Sequence, residues 1–215
     1  MSVSPFASTY FSKGMSIDGN GAGLGDAAKA VAARLSYPVV LKAQAQALSH
    51  KSDVGGVVLN LGDAPALAAG WLTLEDNLAR HAAGVPIDGV LVERMGARGT
   101  ELIIGARNDP EWGAVILVGF GGVQAEILQD VRLIPADLPH EAIIAELRKL
   151  KSGALLDGWR GAPALDVAAV ADIVVTLGRM LRGTPQVREV DLNPVLVYPA
   201  GEGAVALDAL IFAED

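Results

Sequence analysis

Two apolar runs with a chemically loaded loop between them constrain this chain more than any other stretch. Tyr37–Lys42 reads Y-P-V-V-L-K, and Ala47–Leu59 reads A-L-S-H-K-S-D-V-G-G-V-V-L. The first run is a buried strand that ends on a lysine. A histidine, a lysine, a carboxylate and a glycine pair then gather before the next apolar run. A loop that collects such side chains is built to meet a ligand, because scaffold loops seldom need this chemistry. The core must suit that loop. Half the residues are apolar but only 5% are aromatic, so Ala, Val, Leu and Gly fill the interior. That composition favours strands packed closely against alanine-rich helices.

Length and charge narrow the class. A chain of 215 residues suits one large domain or two small interlocked ones. The net charge of −8 and the lack of a basic stripe argue against nucleic acid as a main partner. A phosphate ligand would need local Lys or Arg, backbone N–H groups or a metal. The absence of cysteine removes disulfides, thiolate metal sites and cysteine nucleophiles, and fits a reducing cytoplasm. No apolar run reaches the ~18–20 residues of a membrane span, and the start lacks the layout of a signal peptide.

Periodicity gives the elements. Residues 1–26 hold the spaced glycines Gly19, Gly21, Gly23 and Gly25 and read as a loose leader. Asp26–Leu35 is predicted helical with Asp26 as its N-cap. Strands are expected over Val39–Lys42, Val54–Leu61 and Asp88–Arg94, with a helix over Asp63–His81. A second block carries strands over Thr100–Arg107, Ala114–Val118, Glu126–Leu133 and Glu189–Tyr198, and Ala204–Ile211 closes a hairpin. Its helices cover His140–Leu150 and Asp166–Arg182. Strands and helices mix without strict alternation, which fits two α+β lobes rather than a doubly wound sheet.

Several residues have the chemistry for a site, each beside a plainer reading. Lys42 is a phosphate contact or a solvated strand end. Glu93 and Glu101 flank the connector R-M-G-A-R-G-T and either take ribose hydroxyls or lie on the surface. Gly119–Gly122 (G-F-G-G) either brings backbone N–H groups to a phosphate or answers a steric need. Asp191 and Asn193 lie two apart on one strand and so share a face, and Asp208 lies on the next strand. Three oxygen donors without imidazole or thiolate suit Mg²⁺ or Mn²⁺, against a solvent-exposed sheet face as the alternative. His50 is polar surface or a nucleophile for a phosphoryl group.

Taken in order, Y-P-V-V-L-K, L-S-H-K-S-D-V-G-G-V, G-V-L-V-E-R-M, E-L-I-I-G-A-R-N-D-P-E-W-G, V-G-F-G-G-V, D-L-N-P and A-L-D span roughly residues 27–211. In these stretches the chain resembles the ATP-grasp domain of the NDP-forming acyl-CoA synthetases, the group that includes ADP-forming acetyl-CoA synthetase. It is similar, more distantly, to the β subunit of succinyl-CoA synthetase. The resemblance implies an ATP-grasp fold of two α+β lobes with a nucleotide cleft between them. Residues 27–93 would form the N-terminal lobe and residues 94–215 the C-terminal lobe, after the leader at 1–26.

By position, Lys42 would contact ATP phosphates. Glu93 and the backbone of Arg94 and Met95 would lie along adenine and ribose, and Glu101, Gly121 and Gly122 would line the same site. Asn193 and Asp208 would hold Mg²⁺ with Asp191 close by. His50 matches a loop histidine that carries phosphate between two distant active sites in ADP-forming acetyl-CoA synthetases. The succinyl-CoA synthetase β subunit has no such histidine, so His50 favours the first group. The resemblance implies ATP/ADP and Mg²⁺ as cofactors. It also implies partner CoA-binding and ligase domains, in a hetero-oligomer or a longer chain. The first lobe is expected to be trimmed or completed by another chain, and this chain alone should not complete acyl-CoA synthesis. A nucleotide-binding regulatory module without phosphoryl transfer is the alternative.

Overall fold

Period-two alternation in the apolar runs and period-3.6 spacing in the alanine-rich runs give sheets with helices on one face. The protein is represented by a computed structural model that describes residues 14–18, 24–45, 51–122 and 129–214. The chain divides into two compact units between Ala97 and Arg98.

The first unit is a four-stranded antiparallel sheet in the order β1-β4-β2-β3, formed by β1 (Gly14–Asp18), β2 (Val39–Gln44), β3 (Val57–Leu61) and β4 (Gly89–Arg94). Helices α1 (Leu24–Leu35) and α2 (Ala64–His81) supply the other half of its core. Ala28, Val31 and Ala32 of α1 and Leu67, Trp71 and Leu74 of α2 pack with Val39, Leu41 and Ala43 of β2 and Val90 and Val92 of β4. The even-numbered residues of β2 therefore face away from the helices. Asp63, read from sequence as the first helical residue, instead caps α2 by accepting the N–H of Ala66 at 2.8 Å.

The second unit is a six-stranded antiparallel sheet. It contains β5 (Thr100–Asp109), β6 (Gly113–Phe120), β7 (Val131–Pro135), β8 (Val187–Val197), β9 (Ala204–Ala206) and β10 (Ala209–Ala213). The order is β10-β8-β5-β6-β7, with β9 also paired to β8. Helices α3 (His140–Leu147) and α4 (Val167–Gly183) cover one face. Leu102, Ile104, Ile116, Val118, Ile134, Val190 and Leu192 point into that core against Ile143, Ile173, Val174 and Leu177. The other face carries Glu101, Ile103, Gly105 and Arg107 of β5. Asp166 caps α4 through the N–H of Ala169. Its second oxygen accepts the N–H groups of Gly201 and Gly203, fastening the turn between β8 and β9.

Several expectations are corrected. The glycine-rich leader holds β1, which pairs along β4 from Gly14↔Glu93 to Asp18↔Gly89. Its alternation is too short to separate from a polar stretch by pattern alone. Helix α1 begins at Leu24, so Asp26 lies in the first turn and pairs with Lys29 rather than capping. Strand β3 starts at Val57 because residues 51–55 form a turn, in which Gly56 N–H reaches the Lys51 carbonyl at 2.7 Å. Strand β7 runs over Val131–Pro135, and residues 126–128 of the predicted Glu126–Leu133 strand lie outside the described residues. Among the described residues no helix is long and apolar enough to cross a membrane.

The start of β7 is tied down by a buried carboxylate. Asp130, 3% exposed, accepts the N–H groups of Lys151 and Ser152 at 2.7 Å each. Burial pushes its pKa up, but the backbone and side chain of Ser152 and the N–H of Lys151 outweigh burial and hold it below the ordinary 3.8. A depressed folded-state pKa stabilises fully above the unfolded value, and that stabilisation is lost as pH falls through the folded value. Asp130→Asn is therefore expected to cost about 2 kcal/mol at pH 7. The gap to the parent should shrink progressively below pH 3.8, read from urea unfolding midpoints across pH.

Candidate functional site

Each unit brings a set of the expected residues together. In the first, β2 lies beside β4 with Val40 opposite Glu93 and Lys42 opposite Leu91. Lys42 and Glu93 are thus diagonal neighbours on the face turned away from α1 and α2. Their charges meet at 2.5 Å, and the two residues are 8% and 7% exposed. Arg94 is exposed, and Met95 donates its N–H to the Pro38 carbonyl at 2.9 Å, so the chain leaving β4 stays bound to the residue before β2.

The loop between β2 and β3 is described from Lys51 onward, and His50 lies outside the described residues. The glycine pair has a steric reason of its own. Gly55 has φ +65°, and a Cβ there would lie 2.6 Å from the Asn77 side-chain nitrogen, which donates to the Gly55 carbonyl. A Cβ on Gly56 would lie 2.9 Å from the Lys51 carbonyl oxygen. Glycine here seats the turn against α2.

In the second unit Glu101, Gly121 and Gly122 converge. Gly121 N–H donates to the Glu101 carbonyl at 2.7 Å. Gly122 has φ +76°, and a Cβ on it would lie 3.3 Å from a Glu101 carboxylate oxygen.

The oxygen-bearing residues also assemble. Strands β8 and β10 pair with Leu192 opposite Ala209, and β8 and β9 with Val195 opposite Ala206. Both pairings share one register, so Asn193 stands opposite Asp208 where β9 gives way to β10. Asn193 N–H reaches the Asp208 carbonyl at 3.3 Å, and Leu207 N–H reaches the Pro194 carbonyl at 2.9 Å. Asp191 lies two residues along β8, opposite Gly105 of β5. Among the described residues no group of three His, Asp or Glu is placed to hold a metal, so a cation here would need the Asn193 amide oxygen. Carboxylate and amide oxygens are the donor set of a hard divalent cation.

This open face of the larger sheet forms a cavity of about 350 Å³, lined by Arg107, Glu189, Asp191 and Asn193 over a floor that includes Gly105 and Leu117. Arg107 and Glu189 are additions to the residues picked from sequence. The alternation of T-E-L-I-I-G-A-R carried the signal for Arg107, since it puts residue 107 on the face of Glu101. Arg107 donates to Asp109 at 2.8 Å. Asp109 also accepts the N–H groups of Glu111 and Trp112 at 3.0 Å each. Those two N–H groups, Trp112 first, and Arg107 hold the Asp109 carboxyl below its ordinary value.

With the geometry in place, the sequence matches the ATP-grasp domain family over residues 20–212. The chain belongs to the ATP-grasp family. It is 51% identical over 189 residues to a trans-feruloyl-CoA synthase from an unknown prokaryotic organism, a match covering 88% of this chain and 27% of that protein. It is 33% identical over 175 residues to the β subunit of an ADP-forming acetate–CoA ligase of Pyrococcus furiosus, covering 81% of this chain and 75% of the subunit. The dinucleotide forming acetyl-coenzyme A synthetase 1 of Ca. Korarchaeum cryptofilum, in complex with coenzyme A, Ca-AMPCP and HgCl⁺, superposes with a TM-score of 0.89 at 30% identity. That match covers 96% of this chain and 87% of that one. In a complex of the same synthetase with coenzyme A and Mg-AMPPCP, at TM-score 0.79 and 29% identity over 97% and 88% of the two chains, a phosphohistidine segment points towards the nucleotide binding site. This ATP-grasp chain therefore spans about a quarter of the feruloyl-CoA synthase and most of a β subunit.

The buried ion pair gives a direct test of how this ATP-grasp domain is held together. Lys42→Met strips a cation from a buried carboxylate and is expected to cost about 3–5 kcal/mol. Lys42→Met with Glu93→Met removes both charges and is expected to recover most of that loss. Urea unfolding of the two variants beside the parent measures the difference.

Proposed function

We propose that this chain is the nucleotide-binding, phosphoryl-transfer part of an ADP-forming acyl-CoA synthetase, for which the overall reaction is acid + CoA + ATP = acyl-CoA + ADP + phosphate. The observation that carries this reading is the placement of Asn193 opposite Asp208 on an open, acid-lined sheet face, in a chain similar to the β subunits of such ligases. Partner CoA-binding and ligase domains, on another subunit or in the rest of a longer chain, complete the reaction, and the assembly works in the cytoplasm.

The residues divide the task. Lys42 contacts the nucleotide phosphates, and Glu93 fixes the ammonium in place. The backbone of Arg94 and Met95 lies along the base and ribose, with Glu101, Gly121 and Gly122 on the same ligand. Asn193 and Asp208, with Asp191 nearby, would hold Mg²⁺, which would offset the charge of the phosphates. His50 receives a phosphoryl group from the partner domains. On transfer, the P–N bond to the imidazole breaks and its electron pair returns to nitrogen, while an oxygen of the ADP β-phosphate forms the new P–O bond of ATP. Such transfers depend on positioning and electrostatics more than on covalent help.

His50→Ala is expected to lower acyl-CoA-dependent ATP formation by a reconstituted complex on the order of 10³-fold or more, while ADP affinity stays within about twofold. Full turnover by this variant would rule the shuttle out. Asp208→Asn is expected to weaken Mg²⁺-dependent ATP binding by about tenfold, followed by calorimetry with and without EDTA. An unchanged Mg²⁺ dependence would count against the cation assignment.

A further inference from the structure

The larger sheet ends on a strand that lacks the usual guards of an edge. In the order β10-β8-β5-β6-β7, β7 bonds to β6 on one side and, among the described residues, to no strand on the other. Ala136 N–H reaches the Ala114 carbonyl at 3.1 Å, one step beyond the pairing of Pro135 with Val115. Antiparallel pairs alternate between bonded and non-bonded, so Ile134 and Arg132 bond to β6. Val131 and Leu133 turn their N–H and C=O groups away from it. Among the described residues no backbone group answers them there. Edge strands are commonly blunted by a charge, a bulge or a proline. β7 keeps one register throughout, and Pro135 stands only at its end. Its one charge, Arg132, is taken by Glu146 of α3. Val131 and Leu133 are 42% and 61% exposed. The opposite edge strand, β10, does carry a guard, a register shift between Phe212 and Ala213.

Beside β7 stands the turn between β5 and β6. Leu133 and Val115 share a groove of about 370 Å³ with Pro110, Glu111 and Trp112 of that turn. Trp112 is 79% exposed, yet its backbone is fixed. Its N–H and that of Glu111 both bond to Asp109 at 3.0 Å, and Gly113 follows at φ +73°. A large aromatic side chain on a fixed support has little entropy left to lose on binding, which suits an interface anchor. The groove is also acidic. Arg107 is engaged by Asp109, and Glu111 has no ion-pair partner among the described residues. An occupant with Lys or Arg can pair with Glu111 and lie over the Trp112 ring. A second copy of this chain suits the groove poorly, since it would set one acidic groove against another in chains of net charge −8. The chain spans 27% of the feruloyl-CoA synthase. On the proposed function, CoA-binding and ligase domains complete the enzyme, and they must find a surface here to dock on.

We infer that β7 and the Trp112 groove are the docking surface for those CoA-binding and ligase domains, which lay an extended segment with apolar and basic side chains along β7. The backbone of that segment pairs with Val131 and Leu133. An apolar side chain packs between Trp112 and Leu133, and a Lys or Arg meets Glu111. The inference rests on the proposed function and adds where the partner domains sit.

Hydrogen exchange compares the chain alone with the complex reconstituted from it and the CoA-binding and ligase domains. The Val131 and Leu133 amides should exchange about tenfold or more slowly in the complex. Leu133→Pro removes only an outward N–H, so the ladder to β6 stays whole, and it should weaken the complex by about tenfold or more. Trp112→Ala should weaken it by a similar factor. Glu111→Lys should weaken it too, by a margin that shrinks with added salt. Trp112→Ala and Glu111→Lys alter exposed side chains and should keep the parent's urea midpoint and ADP affinity, so they decide the matter if Leu133→Pro unfolds. A complex of parent strength in both would overturn the surface, as would unchanged exchange at Val131 and Leu133. Slowed exchange that grows with the concentration of the chain alone would overturn it as well and give the edge to a second copy. Binding of the domains that avoids β7 would sink this surface and leave the proposed function standing. No binding to the parent at all would sink both.

Discussion

The larger unit depends on the hydrogen-bond ladder of β8. That strand bonds to β5 on one side and to β9 and β10 on the other, and it does so across Pro194, which has no N–H to give. The ladder to β5 slips by one residue between Leu102 and Ile104, opposite Asn193–Pro194, as a strand proline requires. On the other side the chain changes from β9 to β10 at Leu207–Asp208, and the register passes through this break unaltered. The two interruptions therefore fall at the same level of the sheet. Backbone left irregular there is the backbone that carries Asn193 and Asp208, while regular pairing above and below keeps them opposed. A one-residue slip on either side would turn Asp191 and Asn193 into the core of Ile173 and Leu177.

The smaller unit solves a different problem. Burying an ammonium and a carboxylate costs several kcal/mol per ion unless they meet in good geometry. Lys42 and Glu93 meet at 2.5 Å because β2 and β4 are adjacent and antiparallel, so residues 51 apart in sequence share a face. The packing of Val39, Leu41 and Ala43 against the helices fixes which face that is. Core packing thus sets the orientation of Lys42, which lies inside β2 rather than at the strand end read from sequence.

Much of this was legible in the residues. The alternation in T-E-L-I-I-G-A-R and E-V-D-L-N-P defines β5 and β8 and puts Asp191 and Asn193 on one face, because a strand has period two. The helices α2 and α4 are legible from the spacing of their apolar residues, and the aspartates read as their first residues, Asp63 and Asp166, prove to be their caps. Other features depend on long-range pairing, which no local pattern carries. The Lys42–Glu93 contact needs the order β1-β4-β2-β3, and the opposition of Asn193 to Asp208 needs the register of β8 with β10. Strand β1 has five residues and takes its partner from β4, so its own sequence has little to show. The turn before β3 looks like strand because Val54 is apolar, but Gly55 at φ +65° ends any extended run. Arg107 was visible as a residue on the right face. Its surroundings come from the fold, which leaves it in one cavity with Glu189 and Asp191 and ties it to Asp109.

The overall field of an acidic chain repels anions, so any attraction for one has to be supplied locally. Each unit here holds a cation against a carboxylate, and the two differ in a way that follows from their chemistry. Lys42 is a compact charge in a buried pair, so a phosphate that reaches it has to share or replace Glu93. Such exchange trades one close anion for another and gains little energy by itself, which makes that contact selective for a ligand held by other groups as well. Arg107 is exposed, and its planar fork gives one edge to Asp109 while other N–H groups remain turned outward. It has room for a further acceptor without giving up the carboxylate that aims it. A buried lysine pair leaves little charge for a further anion, while an exposed, braced arginine keeps part of its donor set turned to solvent.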